Sequence, residues 1–374
     1  MSHNIENNQI AWKGETPWHG LGYQVEDGAT GEQMLVTAGL NWDVERRRLS
    51  MNSTKGEKTQ KWLVEGMKGY RAIVRADTNF VFQVATQDYH PMQNADIVNY
   101  FREFCEAGHA SMETVGGLKG GRMVWALAKL NGGSNGFVNG NKEDETRGYM
   151  LMATSHDGSI RTIGMPTQVR VVCWNTLSAA VGKYLTTRGE KARVSAKQAK
   201  AEGVFLMKHS RKWTAEVAKE AKETMGLAIE QIQEANELAT TLSKIAIDND
   251  GRLEFAVRLF TPEQELQEAL KLKPLKLIPA LMKLQDVKEP EKVLGRIGQG
   301  VLEAMVDSPG SDLPTAKDTM WGALNGVTYY ADHIRGKNQD QRLYGSWFGP
   351  GNTRKQRAVN ILLQMAGKKV PVAA

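Results

Sequence analysis

A chain of 374 residues, 41% hydrophobic and 24% charged, has the make-up of a soluble globular protein long enough for two domains, which excludes a disordered chain. Its two cysteines, Cys105 and Cys173, lie far apart in apolar sequence and exclude a disulfide framework or a cysteine zinc site. The net charge of +6 permits acidic partners such as nucleic acid without requiring them.

The first nine residues, Met1 to Gln9, are polar and lack the apolar run of a signal peptide, and no stretch reaches membrane-spanning length, so retention in the cytoplasm is expected. From about Asn41 to Cys173 the pattern is mainly of period two. Trp42 to Leu49 alternates, and Tyr70 to Arg75 and Phe80 to Ala85 flank Ala76-Asp77-Thr78-Asn79 as a hairpin. A helix follows, with Asn94 as N-cap, Ile97, Val98, Phe101, Phe104 and Cys105 on one face, and Gly108 at its end. Ser111 to Val115 and Arg122 to Leu130 read as strands joined by a turn over Gly116 to Gly121. Asn131 to Asn141, rich in Gly and Asn, reads as an exposed connection. Gly148 to Ser155 and Ser159 to Gly164 flank His156-Asp157-Gly158, a tight-turn signal. Val169 to Trp174 completes the sheet, with Val169, Val171 and Cys173 on one face and Arg170, Val172 and Trp174 on the other. Asn175 or Thr176 then reads as the cap of a helix.

Ser195 and Gln198 form a capping-box signal, and helical patterning runs from there to about Ile247. Within it Met225, Ala228, Ile232, Ala235, Ala239, Leu242 and Ala246 form a seam that must pack on the core, another helix or another subunit. Pro274, Pro279 and Pro290 break the following stretch into short helices. Thr315 and Asp318 can cap a helix carrying Trp321, Leu324, Thr328 and Ala331, and a last helix carries Ile361, Leu362 and Met365 before a frayed tail. The expected fold is α+β: a mainly antiparallel N-terminal sheet with a packed helix, of β-β-β-α type, followed by a helical C-terminal half. The expected domains are 1–200, a sheet domain for nucleic-acid binding and oligomerisation, and 201–374, a helical domain.

Basic residues of the first domain interleave with aromatics: Arg46, Arg47 and Arg48 after Trp42; Arg71 and Arg75 after Tyr70; Lys119 and Arg122 before Trp125; Arg170 before Trp174. Cations neutralise phosphates and flat rings stack on bases without reading sequence, so this mixture suits single-stranded nucleic acid. Lys183, Arg188, Lys191 and Arg193, with Lys197, extend the basic run, although charge runs are usually solvated faces. The expected nucleic-acid-binding set is therefore Arg46, Arg48, Arg71, Arg75, Lys119, Arg122, Arg170, Lys183, Arg188, Lys191 and Arg193, with Tyr70, Trp125 and Trp174 for stacking. The loop over Gly116 to Gly121 lacks the Gly-Lys-Ser/Thr ending of a phosphate loop. The seven histidines are scattered without metal-ligand spacing, so no metal and no cofactor are expected. Cys173 with His19 or His90 and Asn175 is the sharpest enzymatic arrangement, but a thiol alternating with valines is ordinarily a packing group. No catalytic residue, and no enzymatic activity, is expected.

Four segments carry a resemblance: Pro17-Trp18-His19-Gly20-Leu21-Gly22, Tyr89-His90-Pro91-Met92-Gln93-Asn94, Val171-Val172-Cys173-Trp174-Asn175-Thr176-Leu177, and Trp321-Gly322-Ala323-Leu324-Asn325-Gly326-Val327-Thr328 with Trp347-Phe348-Gly349. They resemble the phage/plasmid-like protein family, a domain of unknown function found in phages, prophages and plasmids. The strand-then-helix order of the first half is also similar in pattern to single-strand annealing recombinases, the set that includes RecT, Redβ, Erf and the Rad-type annealing protein. These resemblances imply a phage-type single-stranded-DNA-binding and annealing protein in the host bacterial cytoplasm. It would be a homo-oligomeric ring or filament without cofactor, working with host or phage replication proteins and no membrane. Two rival expectations are an anti-defence protein binding an acidic protein partner, and a nuclease or transferase.

Overall fold

The computed structural model describes residues 9–14, 21–55, 58–63, 67–131, 135–172, 175–176, 195–201, 203–273, 275–337, 341–342, 345–346 and 350–367; at 51–55, 58–63, 170, 175–176, 201, 225 and 227–229 it describes the backbone alone. The chain forms two compact units and passes between them several times. The first comprises Met1–Gly132, Tyr149–Pro166 and Tyr184–Gln231, and the second Gly133–Gly148, Thr167–Lys183 and Ile232–Ala374. Strands dominate the N-terminal half and helices the C-terminal half, an α+β architecture as the sequence pattern predicts.

In the first unit the principal sheet is built on β8 (Ala110–Leu118) and β9 (Met123–Leu130), antiparallel from Ala110↔Leu130 to Leu118↔Met123. The end of β11 (Glu145–Ser155) pairs with β9 from Tyr149↔Lys129 to Ser155↔Met123. On the other side β1 (Ile10–Trp12) pairs with β8 and, in parallel, with β2 (Tyr23–Gln24). Neither β1 nor β2 is legible in the sequence, because each is too short to show alternation. The start of β12 (Thr162–Arg170) pairs with β14 (Phe205–Met207). The sequence reads residues 205–207 as helical, but three consecutive buried side chains satisfy their backbone on a sheet edge instead.

Two helices complete this unit's core. α1 (Gly31–Thr37) starts in a capping box between Thr30 and Gln33, a signal overlooked in the sequence. α2 (Asn94–Glu106) lies on β8 and β9, burying Ile97, Val98 and Phe101 as its spacing predicts. Its cap is Gln93, reciprocally bonded with Asp96. Asn94, expected at that position, is the first helical residue and is buried.

The β8–β9 turn is shorter than expected. Gly116 and Gly117 remain in the strand, and Lys119, Gly120 and Gly121 make the bend with positive φ. Gly116 is required by packing: a Cβ there would sit 2.6 Å from Cζ2 of Trp125. A second, three-stranded sheet has the order β3–β6–β7, comprising β3 (Val44–Arg47), β6 (Tyr70–Arg75) and β7 (Val81–Thr86). Between β3 and β6, β4 (Ser50–Lys55) and β5 (Lys58–Leu63) form a hairpin.

In the second unit β10 (Gly136–Phe137) pairs with the first residues of β11, and β13 (Asn175–Thr176) folds back on the end of β12 through Val169↔Thr176 and Arg170↔Asn175. Asn175 and Thr176 are therefore ladder residues and not the helix cap that their side chains suggest. Two more helices belong to the 195–247 stretch: α3 (Ala196–Ala201), behind the expected Ser195–Gln198 box, in the first unit, and α4 (Ala215–Ser243), whose residues from Ile232 onward belong to the second. α5 (Asn249–Phe260), α6 (Glu263–Lys271), α7 (Leu277–Gln285), α8 (Arg296–Asp307), α9 (Met320–Tyr329) and α10 (Pro350–Met365) complete the second unit. The C-terminal part of the seam is intrachain core: Ala239 and Leu242 pack with Val138, Phe255, Val301, Trp321 and Leu362. α9 is capped by Thr319, one residue past the expected Asp318, and runs into a π-helical turn, Tyr330–Ile334.

That turn carries Asp332, whose carboxylate is paired with Lys355 of α10; both side chains are sealed from solvent. Two buried charges are tolerable only together, so removing one leaves the other unpaired. Lys355→Ala is expected to cost about 3–5 kcal/mol in urea unfolding, and the double change Lys355→Met with Asp332→Leu to recover most of that loss. Equal losses in the single and double variants would refute the pairing argument.

Candidate nucleic-acid interface

The three-stranded sheet decides where most of the described basic candidates go. β3 and β6 pair through Val44↔Arg75, Arg46↔Ile73 and Arg47↔Ala72, so Arg46, Arg71 and Arg75 share one face around the buried Ile73. Arg47 and Tyr70 lie on the other face. Arg48 is exposed one residue beyond β3. Arg122 approaches the same sheet from the β8–β9 turn, donating from Nη1 to the carbonyl of Phe82 (2.9 Å), with its guanidinium 5.0 Å from the ring centre of Phe80. Lys119 is in that turn, half-buried.

The partners of these cations differ in kind. Arg75 makes two hydrogen bonds to Asp77 (2.7 and 2.9 Å) and lies 4.6 Å over Trp42, so its charge is met by a carboxylate, whose own pKa is lowered chiefly by that hydrogen bond. Arg47 pairs with Glu45. By contrast, Nη1 of Arg46 donates to the carbonyls of Gln87 (2.9 Å) and Tyr89 (3.4 Å) and to Nδ1 of His90 (3.2 Å), and Nη1 of Arg71 donates to the carbonyls of Lys68 and Tyr70. A carbonyl orients a guanidinium without cancelling its charge, and one engaged nitrogen leaves other donors for a second ligand. Burial, then the charges of Arg46 and Lys212, lowers the pKa of His90, so this imidazole is neutral and accepts from Arg46.

The aromatic part of the expected set is largely displaced. Trp125 is 1% exposed beneath Gly116 and belongs to the core, which corrects its expected stacking role. Its place in an alternating strand cannot reveal this, since both faces of β9 are buried. Tyr70 is 43% exposed, and Phe80, equally exposed and absent from the expected set, lies beneath Arg122. Arg170 is on β12 in the second unit, described in backbone alone. Trp174, Lys183, Arg188, Lys191 and Arg193, and also Cys173 and His19, lie outside the described residues.

Beneath the sheet is a buried polar cluster in the first unit. Asn94 donates to the carbonyls of Leu40 (2.8 Å) and Trp42 (3.3 Å), which turns its Oδ1 toward Nε2 of His156 at 2.9 Å. Nε2 is therefore the protonated nitrogen of a neutral ring, and Nδ1 faces a dry environment without a partner. The His156 ring sits between Trp42 and Phe82, 5.5 and 5.2 Å away, and Gln83 of β7 donates to the His156 carbonyl. Tyr89 donates to the carbonyl of Ser155 and stacks on His209 at 4.7 Å.

The second unit has a cleft of about 300 Å³ lined by Arg258, Arg357, Asn360 and Gln364 above Leu266 and Ile361. Among the described residues no group of histidine, cysteine and carboxylate side chains could hold a metal ion, and no helix is long and apolar enough to cross a membrane.

Residues 81–361 match the family model described as a domain of unknown function, DUF932. The chain belongs to the DUF932 family. No curated protein and no solved structure is significantly similar to it. The DUF932 segment contains the motifs beginning at Tyr89, Val171 and Trp321, the Asn94–His156 cluster and the Asp332–Lys355 pair, together with Lys119, Arg122 and Arg170. Arg46, Arg48, Tyr70, Arg71 and Arg75 precede it.

Burial lowers the pKa of His156 to about 3, with the nearby charge of His209 as the smaller cause. The unfolded ring titrates near 6.5, so below that pH the unfolded state binds a proton that the folded state refuses. His156 leaves stability unaffected above pH 6.5 and subtracts from it as pH falls toward 3. Unfolding free energy at pH 5 is expected to be about 2 kcal/mol lower than at pH 7.5 from this group alone. Urea titrations should show this slope reduced in His156→Gln; an unchanged slope would contradict the assignment.

Proposed function

We propose that the three-stranded sheet and the adjoining β8–β9 turn contact single-stranded nucleic acid, and that the protein is a phage-type single-stranded-DNA-binding and annealing protein. The observation that carries this reading is the set of arginines 46, 71 and 122, oriented by main-chain carbonyls and not by carboxylates, with the exposed ring of Phe80 beneath Arg122 and that of Tyr70 on the opposite face of the sheet. Such arginines keep their charge for phosphates, and exposed rings offer any base a stacking surface. Bases left free for pairing would capture a complementary strand without protein readout of sequence, so annealing needs no catalytic chemistry. The working form is a ring or filament of this chain in the cytoplasm of a bacterial host, a setting suggested by the resemblance to phage and plasmid proteins.

Fluorescence anisotropy with a labelled oligothymidine tests the proposal. The logarithm of affinity should fall against the logarithm of salt with a slope of about −0.7 for each phosphate neutralised. Replacing Arg46, Arg71 and Arg122 together by alanine should flatten that slope by roughly 2, with the fold retained by circular dichroism. A chain that ignores oligonucleotides at low salt would remove the reading and favour the rival in which the same cations meet an acidic protein surface. Binding without acceleration of strand pairing would remove the annealing step alone.

A further inference from the structure

The cleft of about 300 Å³ in the helical unit opens between α6 and α10, and its size is at the small end of the range for ligand sites. On α10, Arg357, Asn360 and Gln364 follow at steps of three and four, so one face of the helix brings all three to it. From α6, Glu263 and Gln267 reach the same cleft one turn apart, joined by a hydrogen bond of 2.8 Å. Leu266 and Ile361 are buried in its wall, and Leu270, which also lines it, is left 49% exposed.

The polar groups of the cleft are unequally engaged. Arg258, at its edge, is bound by Glu254 through both Nε and Nη2, so its charge is met. Arg357 uses only Nη2, which donates to the carbonyl of Arg258 (3.0 Å), and a carbonyl does not cancel its charge. Glu263 accepts from the neutral carboxamide of Gln267 and likewise keeps its charge. Among the described residues Arg357 and Glu263 form no ion pair with each other, and the carboxamides of Asn360 and Gln364 make no hydrogen bond. A plain carboxylate would suit Arg357 but meet the like charge of Glu263, a plain amine would have the reverse fault, and a phosphate would bring more negative charge than one guanidinium offsets. An α-amino acid carries both charges on one carbon beside its side chain. We propose that this cleft binds a free amino acid with an aliphatic side chain, its carboxylate on Arg357, its ammonium on Glu263 and its hydrocarbon against Leu266, Leu270 and Ile361.

Equilibrium dialysis of the full-length protein against radiolabelled L-leucine, at neutral pH and constant ionic strength, tests the site. Saturable retention of leucine is the expected result. Glycine, isocaproate and isoamylamine lack in turn the side chain, the ammonium and the carboxylate of leucine, and each should bind at least about tenfold more weakly. Arg357→Met should erase the preference for leucine over isoamylamine, and Glu263→Gln the preference over isocaproate. Absence of retention at millimolar leucine would overturn the proposal. So would glycine or isocaproate binding as well as leucine, or preferences left unchanged in the two variants. Should either variant lose its helical circular dichroism, the analogue series on the unaltered protein decides alone.

Discussion

The first unit depends on one carboxamide. Asn94 opens the sheet-covering helix, and both of its amide hydrogens go to the chain segment that leads into β3, while its oxygen receives the imidazole of His156 at the end of β11. Three elements distant in sequence are fixed by a single buried side chain. The apolar surroundings make each bond costly to lose, because an Asn or His left unpaired there has no water to turn to. The position of the three-stranded sheet, and so of its arginines, follows from that junction.

From this junction outward the chemistry grades from neutral to charged. His156 is uncharged and enclosed by Trp42 and Phe82; Trp42 lies beneath Arg75; Phe82 accepts from Arg122 through its carbonyl and touches Phe80. Aromatic rings thus serve as the floor on which guanidinium groups are arranged, and main-chain carbonyls aim those groups. The same residues hold the sheet together and hold positive charge at its surface. This double use explains why basic and aromatic residues interleave in the sequence, and why interleaving alone does not separate a stacking ring from a core ring.

The helical unit solves a different problem. It buries an acid–base pair, Asp332 with Lys355, and a second carboxylate, Asp144, that accepts from Trp321 and Thr315. Each is satisfied by residues far away in the chain, on elements whose own signals are ordinary helical periodicity. The Trp321 motif stands out in the sequence for its aromatic and glycine content. Its indole nitrogen proves to be a donor to Asp144, and Gly326 is where α9 comes within a Cβ's distance of Met305 in α8.

Periodicity alone determined the α+β class, the β6–β7 hairpin and the buried face of α2, because these rest on local spacing and on backbone groups that must pair nearby, whereas Pro279, expected to break a helix, sits in the first turn of α7. Only the tertiary structure decided that Asn175 and Thr176 pair with β12, that residues 205–207 become a strand, and that Gly116 lies under an indole, since each depends on which distant backbone or ring is at hand. For the arginines the sequence supplied the charges, and the fold chose their partners. Arg75 meets a carboxylate two residues away, while Arg46 and Arg71 meet carbonyls. A charge is a property of a residue, whereas its availability is a property of the neighbours that folding brings.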